Sequence, residues 1–181
     1  MVRSRDVDAI ATRVIASPLG PLLLGAVAGG ICLIEFQDPA RLERQRNALR
    51  RWLGVPSVPG NHPHLERIES ELADYFSGRR RRFTVPVVAP GTAFQKCIWD
   101  ALAGIPYGTT CSYAELAGRI GRPGAQRAAG TANGANRVAI VVPCHRVVNA
   151  DGRPGGYGGG PWRKQWLLDL ERGSSQFPPG P

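Results

Sequence analysis

The apolar residues of the first forty positions fall into three short runs, ATRVIAS (11–17), PLLLGAV (21–27) and ICLIEF (31–36), separated by PLG and GG. Each run has strand length, and Pro18, Gly20, Gly29 and Gly30 supply turn chemistry. The chain is therefore expected to open as consecutive antiparallel strands joined by tight turns. Asp38-Pro39 then starts a helical stretch to about Trp52, with Leu42, Leu49 and Leu53 near helical spacing. GVPSVPGNHPH (54–64) reads as a loop from its Pro and Gly content. LERIESELADYF (65–76) reads as a second amphipathic helix, apolar at Leu65, Ile68, Leu72, Tyr75 and Phe76. FTVPVV (83–88) reads as a final strand before an APGT linker.

The second half has a different texture. Thr92-x-x-Gln95 and Ser112-x-x-Glu115 fit the capping box, in which hydroxyl and Glu/Gln side chains satisfy free helix-end amides. They predict helices over 92–103 and 112–120. Pro123 suits the first turn of a third helix, about 123–132. Two short helices joined by a Gly-containing turn fit a helix-turn-helix, and an ordinary helical hairpin gives the same pattern. RVAIVV (137–142) reads as a buried strand, followed by the Gly-rich segment GGYGGG (155–160) and a terminal helix around 161–172. There is no internal repeat. The division expected is an N-terminal α/β domain (1–90), a second domain (91–173) and a disordered tail (174–181).

A chain of 181 residues holds one ordinary domain or two small ones, and 43% hydrophobic residues suffice for a core. No stretch approaches the roughly 18 apolar residues of a membrane span, and MVRSRDVDAI lacks the apolar core of a signal peptide. Cys32, Cys97, Cys111 and Cys144 are widely spaced without a CxxC pair, so reduced thiols and a cytoplasmic compartment are expected. The net charge of +9 favours a polyanionic partner, nucleic acid ahead of membrane. That charge is carried by 21 Arg and 2 Lys, a skew that reflects genome composition as much as function.

Cys144 is the informative cysteine. It follows an apolar run and Pro143 and precedes His145 and Arg146. A cysteine becomes nucleophilic as thiolate, which needs a nearby cation, helix N-terminus or base. The plainer reading, a buried inert thiol, stands for Cys32, Cys97 and Cys111. Metal binding does not fit, because Cys144 and His145 are adjacent and the other two histidines lie in the HPH loop. No cofactor and no metal are expected.

PCHRVV (143–148) resembles the active-site signature of the O6-alkylguanine-DNA alkyltransferases. IPYG (105–108), SYAELA (112–117), AQRAAG (125–130), Asn136, GGYGGG and RKQWLLDLE (163–171) occur in that family's order and spacing. SPLGPLLL and YFSG match its N-terminal layout more weakly. The resemblance implies a ribonuclease-H-like N-terminal sheet with helices, and a C-terminal winged-helix-like helical domain with a helix-turn-helix, the whole being α/β. It implies single-turnover DNA repair, in which a methyl or other alkyl group moves from O6 of guanine, and O4 of thymine, to Cys144. The family's Glu–His–water–Cys relay falls on Glu171, His145 and Cys144, and its hinge asparagine on Asn136. Tyr113, Val147, Tyr157 and Gly158 are the implied base-pocket residues, with Tyr113 protonating guanine N3 and the Gly158 amide donating to O6. Arg127 is the implied finger that replaces an extruded base. It sits on a small-residue helix (Ala125, Ala128, Gly130) in the minor groove of double-stranded DNA.

The implied protein is a monomer without membrane contact. A non-catalytic lesion-binding protein is the main alternative, followed by a helix-turn-helix regulator and a cysteine hydrolase; an intact Cys/His/Glu set argues against the first two. Arg79–Arg82 lies outside these motifs and reads as a solvated turn, with a remote nucleic-acid contact as the lesser reading.

Overall fold

A computed structural model describes residues 9–174. The three apolar runs form the antiparallel strands β1 (Ile10–Ile15), β2 (Leu22–Val27) and β3 (Gly30–Phe36), with Leu22 opposite both Ile15 and Phe36. A fourth strand, β4 (Ser57–Pro59), was expected to be loop; it pairs parallel to β1, giving the order β3-β2-β1-β4. Its Pro content hid it, yet proline is tolerated on an edge strand, where a missing N–H needs no partner. The edge is secured by Ile10 N–H to Pro56 O (2.7 Å) and Gly60 N–H to Thr12 O (3.1 Å).

The sheet's two faces each meet a helix. α1 (Pro39–Leu53) starts where the Asp38 carboxylate accepts from Arg41 N–H at 2.8 Å, and it ends at left-handed Gly54. α2 (Pro63–Phe76) begins two residues earlier than its apolar pattern, capped by His62. Leu22, Leu24 and Ala26 of β2 share one core with Leu65, Ile68, Leu72 and Tyr75 of α2. Ile10, Val27, Cys32 and Leu33 share a second with Leu49 of α1. Strand side chains thus divide between the two helices, with a register shift opposite Gly25/Ala26 leaving neighbouring Cys32 and Leu33 in the same core, and each fully buried Leu or Ile contributes about 2 kcal/mol.

Residues 83–88, expected as a strand, make only a single parallel bridge, Val87 to Ile31, through Ile31 N–H to Pro86 O (2.8 Å) and Val88 N–H to Ile31 O (2.9 Å). Pro86 has no N–H with which to extend the ladder. Gly30 allows this approach, since a Cβ there would strike the Pro86 carbonyl.

The second half is built on α3 (Ala93–Ala103), α4 (Tyr113–Arg119), α5 (Gln126–Gly134) and α6 (Pro161–Arg172). Both expected capping boxes form: Gln95 N–H to Thr92 Oγ1 is 3.2 Å and Glu115 N–H to Ser112 Oγ is 3.2 Å. α5 starts later than expected, because Gly124 at φ 90° keeps Pro123 in the preceding turn. Two short parallel strands, β5 (Cys111–Ser112) and β6 (Val147–Val148), join the helices at the cysteine turn.

RVAIVV is not a strand either. Val138 forms one bridge to Ile34 of β3, and the chain then folds back, with Val142 N–H on Val138 O at 2.9 Å and Ile140 at φ 73°. Its apolar composition reports burial, which strand and turn share; the Asn136 side chain decides the conformation by holding both ends. The expected disordered tail, apart from Ser174, lies outside the described residues.

Candidate active site

Cys144, His145 and Arg146 form one 3₁₀ turn between Pro143 and β6, and all three are buried. The turn is held by Asn136, just beyond α5. Its Nδ2 donates to Val142 O at 2.8 Å and to Cys144 Sγ at 3.2 Å, while its Oδ1 accepts from Val138 N–H at 2.9 Å. Asn133 of α5 adds a 3.4 Å bond to the Cys144 carbonyl. The helix expected to meet DNA and the turn bearing the thiol are thereby one hydrogen-bonded unit.

α1 braces the unit from the first half of the chain. Arg41 donates to Gly134 O (3.1 Å), Asn136 O (3.2 Å) and the buried Glu35 carboxylate (2.8 Å), and Gln45 reaches Asn136 O at 3.4 Å. Burial pushes the Cys144 thiol up; the Asn136 bond, then the positive charges of Arg41 and Lys164, pull it back, while Glu35 adds to the rise. Burial thus works against the thiolate, and a base beside the thiol would favour it.

His145 Nε2 and Glu171 Oε1 lie 2.8 Å apart, both side chains at most 1% exposed. Burial pushes the imidazole down, opposed by the Glu171 bond and charge. The other ring nitrogen, Nδ1, has no partner among the described residues. Glu171 accepts five hydrogen bonds: one each from His145 and Gly108 N–H, two from Arg146 and one from Tyr75 OH. Burial alone would raise its carboxyl, but the His145 and Arg146 bonds and charges hold it well below the ordinary carboxylate range.

Tyr113 is the first residue of α4, half-buried, with its ring against Gly130 of α5. Burial, then the Cys144 charge, raise its phenol. Ala125 immediately precedes α5, and Arg127 and Ala128 are exposed on its first turn, with no partner for the Arg127 guanidinium among the described residues.

Opposite, Tyr157 packs edge-on against Phe36 with centroids 6.0 Å apart, and its buried hydroxyl has no partner among the described residues. Burial, then the Cys144 and Glu35 charges, raise that phenol well above its usual range. A side chain on Gly158 would meet the Arg41 guanidinium, which would have to shift to make room for it. Val147 is wholly buried, and its carbonyl accepts from Lys164 Nζ at 2.6 Å. Lys164 also reaches Gly156 O at 3.2 Å, tying the glycine segment to β6, and burial pushes its ammonium down to about 8.

Sequence reasoning missed six of these neighbours. Arg146, Gly108 and Lys164 stood inside quoted motifs without a role. Tyr75 looked like one more apolar-face residue of α2, and nothing local marked Arg41 or Glu35.

A buried thiol tied through Asn136 and Asn133 to α5, followed by a buried His–Glu pair, defines the class of proteins in which a cysteine has a base beside it to make it a nucleophile. Residues 93–173 match the family described as 6-O-methylguanine DNA methyltransferase, DNA binding domain, and residues 10–89 match 6-O-methylguanine DNA methyltransferase, ribonuclease-like domain. The chain belongs to the 6-O-methylguanine DNA methyltransferase family. It is 43% identical over 164 residues to a methylated-DNA–protein-cysteine methyltransferase of Mycobacterium tuberculosis, covering 88% of this chain and 91% of that one. The Mycobacterium leprae protein of the same name is 42% identical over 176 residues, covering 95% and 93%. The crystal structure of Mycobacterium tuberculosis O6-methylguanine methyltransferase superposes with a TM-score of 0.76 at 39% identity, over 92% of this chain and 95% of that one. That of Mycobacterium tuberculosis OGT in complex with DNA gives 0.74 at 42% identity, over 91% and 93%.

Proposed function

We propose that this protein repairs DNA by moving a methyl or other alkyl group from O6 of guanine to its own Cys144, each molecule acting once. One observation carries the assignment of the nucleophile: Cys144 Sγ is held by Asn136 at 3.2 Å, immediately before an imidazole that a buried carboxylate orients at 2.8 Å. With Nε2 engaged by Glu171, Nδ1 is the nitrogen free to take the thiol proton, through one water. The thiolate then attacks the alkyl carbon in line. A C–S bond forms, the C–O6 bond breaks, and its electron pair stays on guanine.

The leaving guanine is neutralised by a proton on N3 from the Tyr113 hydroxyl, and the Gly158 amide donates to O6. The partly positive surround of Arg41 and Lys164 favours the thiolate without ionising it beforehand, which suits a thiol that must react only with a seated lesion. A thioether is not cleaved by water, so there is no turnover.

Residues 91–173 serve as the DNA-binding and transfer unit, and α1 braces it through Arg41 and Gln45. The exposed Arg127 and Ala128 on the first turn of α5, with Ala125 and Gly130 beside them, enter the minor groove of duplex DNA as the lesion is extruded. Minor-groove entry suits repair, because that groove discriminates sequence poorly. The protein acts as a monomer in the cytoplasm, where its four free cysteines stay reduced.

Intact-mass analysis after incubation with duplex DNA bearing O6-methylguanine tests the reading. The expected product is one added methyl per protein on the peptide containing Cys144, and its absence in Cys144→Ala, which still binds the duplex. Methyl transfer by Cys144→Ala, or repeated turnover by the native protein, would overturn it.

A further inference from the structure

The Arg79–Arg82 run divides once folded. Arg79 turns back to Asp74 at 2.9 Å, and Arg80 donates to the Arg82 carbonyl at 3.0 Å with Glu71 3.9 Å away. Arg81 and Arg82 instead line a groove of about 500 Å³ between residues 81–89 and α3. One wall is Phe83, Val85, Val87 and Ala89; the other is Trp99 and Ala103; Val141 to Pro143 contribute a third side. Lys96 and Arg146 bring the cations along it to four, against one carboxylate, Asp100. Cys144, Tyr113 and Tyr157 are not part of its lining.

These cations are unequally available. Arg146 is committed to Glu171 and the Ile105 carbonyl and supplies only potential. Arg81 lies over the Tyr107 ring at 5.6 Å, and the Arg81, Arg82 and Lys96 side chains have no hydrogen-bond partner among the described residues. Val87, on the apolar wall, stands 37% exposed. A solvated turn explains unpaired arginines, but not their convergence with Lys96 on an exposed apolar trough.

We propose that this groove is a second nucleic-acid contact, which takes a single-stranded segment with its phosphates on Arg81, Arg82 and Lys96 and its base and sugar faces on the apolar walls. A trough that joins cations to apolar surface is how sequence-independent single-strand sites are built. A duplex presents phosphates alone and leaves the trough unfilled, because its bases are sealed inside. The groove's volume lies within the range of sites that enclose one small ligand-sized group, which suits one or two unstacked nucleotides. The contact is independent of alkyl transfer, so it stands or falls separately from the assignment of Cys144.

The test is fluorescence anisotropy of a labelled, lesion-free oligothymidylate over a range of salt. Each single-strand phosphate contact contributes about 0.7 to the salt slope. The triple variant Arg81→Ala/Arg82→Ala/Lys96→Ala should bind roughly tenfold more weakly, with a slope lower by about 2. Its affinity for a lesion-free duplex and its reaction with free O6-alkylguanine base should stay within twofold of native. The loss should add to that of Arg127→Ala, since the two sites are separate. Val87→Asp, an exposed change that keeps the three cations, should also weaken oligothymidylate binding, and it serves if the triple variant does not fold. Three outcomes would overturn the proposal: unchanged oligothymidylate binding, an equal loss on duplex, or equal competition by polyglutamate. The last two would mean a duplex phosphate contact or a general anion patch.

Discussion

Tyr75 donates a 2.7 Å hydrogen bond to Glu171 across 96 positions of sequence, and both side chains are buried. The carboxylate oxygen it meets, Oε1, is the same one that orients His145. A helix of the first half of the chain thus supplies one of the five donors to the carboxylate that the imidazole faces. Losing such a bond is more than a loss of packing, because a carboxylate with fewer donors holds a neighbouring proton more tightly.

Tyr75→Phe keeps the ring and removes the donor. It should destabilise the protein by about 2 kcal/mol, as expected for a bond to a charged group. The imidazole pKa should rise, so the midpoint of the pH profile for transfer should move to higher pH. Thermal melts and single-turnover rates across pH measure the two effects. An unchanged profile in a folded variant would show that Tyr75 only packs.

Glu171 links the site to acid stability. Its carboxyl lies lower in the folded than in the unfolded chain, so the unfolded state binds more protons as pH falls through the ordinary carboxylate range. The stability it contributes is present above that range and is lost progressively below it. Glu171→Gln should cost roughly 3 kcal/mol near neutrality, since it strips Arg146 of its buried partner. The variant should also show a flatter decline in urea midpoint between neutral and acid pH. A slope as steep as native would assign the acid sensitivity to other carboxylates.

Asn136→Ala removes three hydrogen bonds at once and leaves Val138 N–H and Val142 O without their side-chain partner. The expected loss is about 2–3 kcal/mol. It also removes the donor that lowers the thiol, so half-ionisation of Cys144 should move to higher pH, readable from alkylation by iodoacetamide. A native titration curve with slowed transfer would limit Asn136 to holding the turn.

Arg127→Ala separates DNA handling from chemistry. Extruding a stacked base costs a few kcal/mol, and a side chain in the gap offsets that cost. As a finger, Arg127 should be needed for fast transfer from duplex DNA but not for reaction with free O6-alkylguanine base. A uniform loss of binding, with a salt slope lower by about 1, would make it a phosphate contact instead. Equal slowing on base and duplex would sink both readings.

The sequence by itself determined the elements whose causes are local. Turn residues separated β1, β2 and β3; Asp38-Pro39 opened α1; and the Thr92 and Ser112 boxes opened α3 and α4, because caps and tight turns are made by side chains within four residues of the amide they satisfy. The Cys144, His145, Asn136 and Glu171 set was legible for another reason, since a known family carries those residues in the same order. Tertiary structure decided whatever depends on a distant partner. β4 exists because β1 offers an open edge, while 83–88 and 137–142 fail as strands because Pro86 and the Asn136 side chain interrupt them. Tyr75 and Arg41 became part of the site only when α2 and α1 packed against the second half, bringing together groups 96 and 95 residues apart. No periodicity encodes such bonds. They arise because a buried carboxylate or carbonyl must find its donors wherever the packed core supplies them.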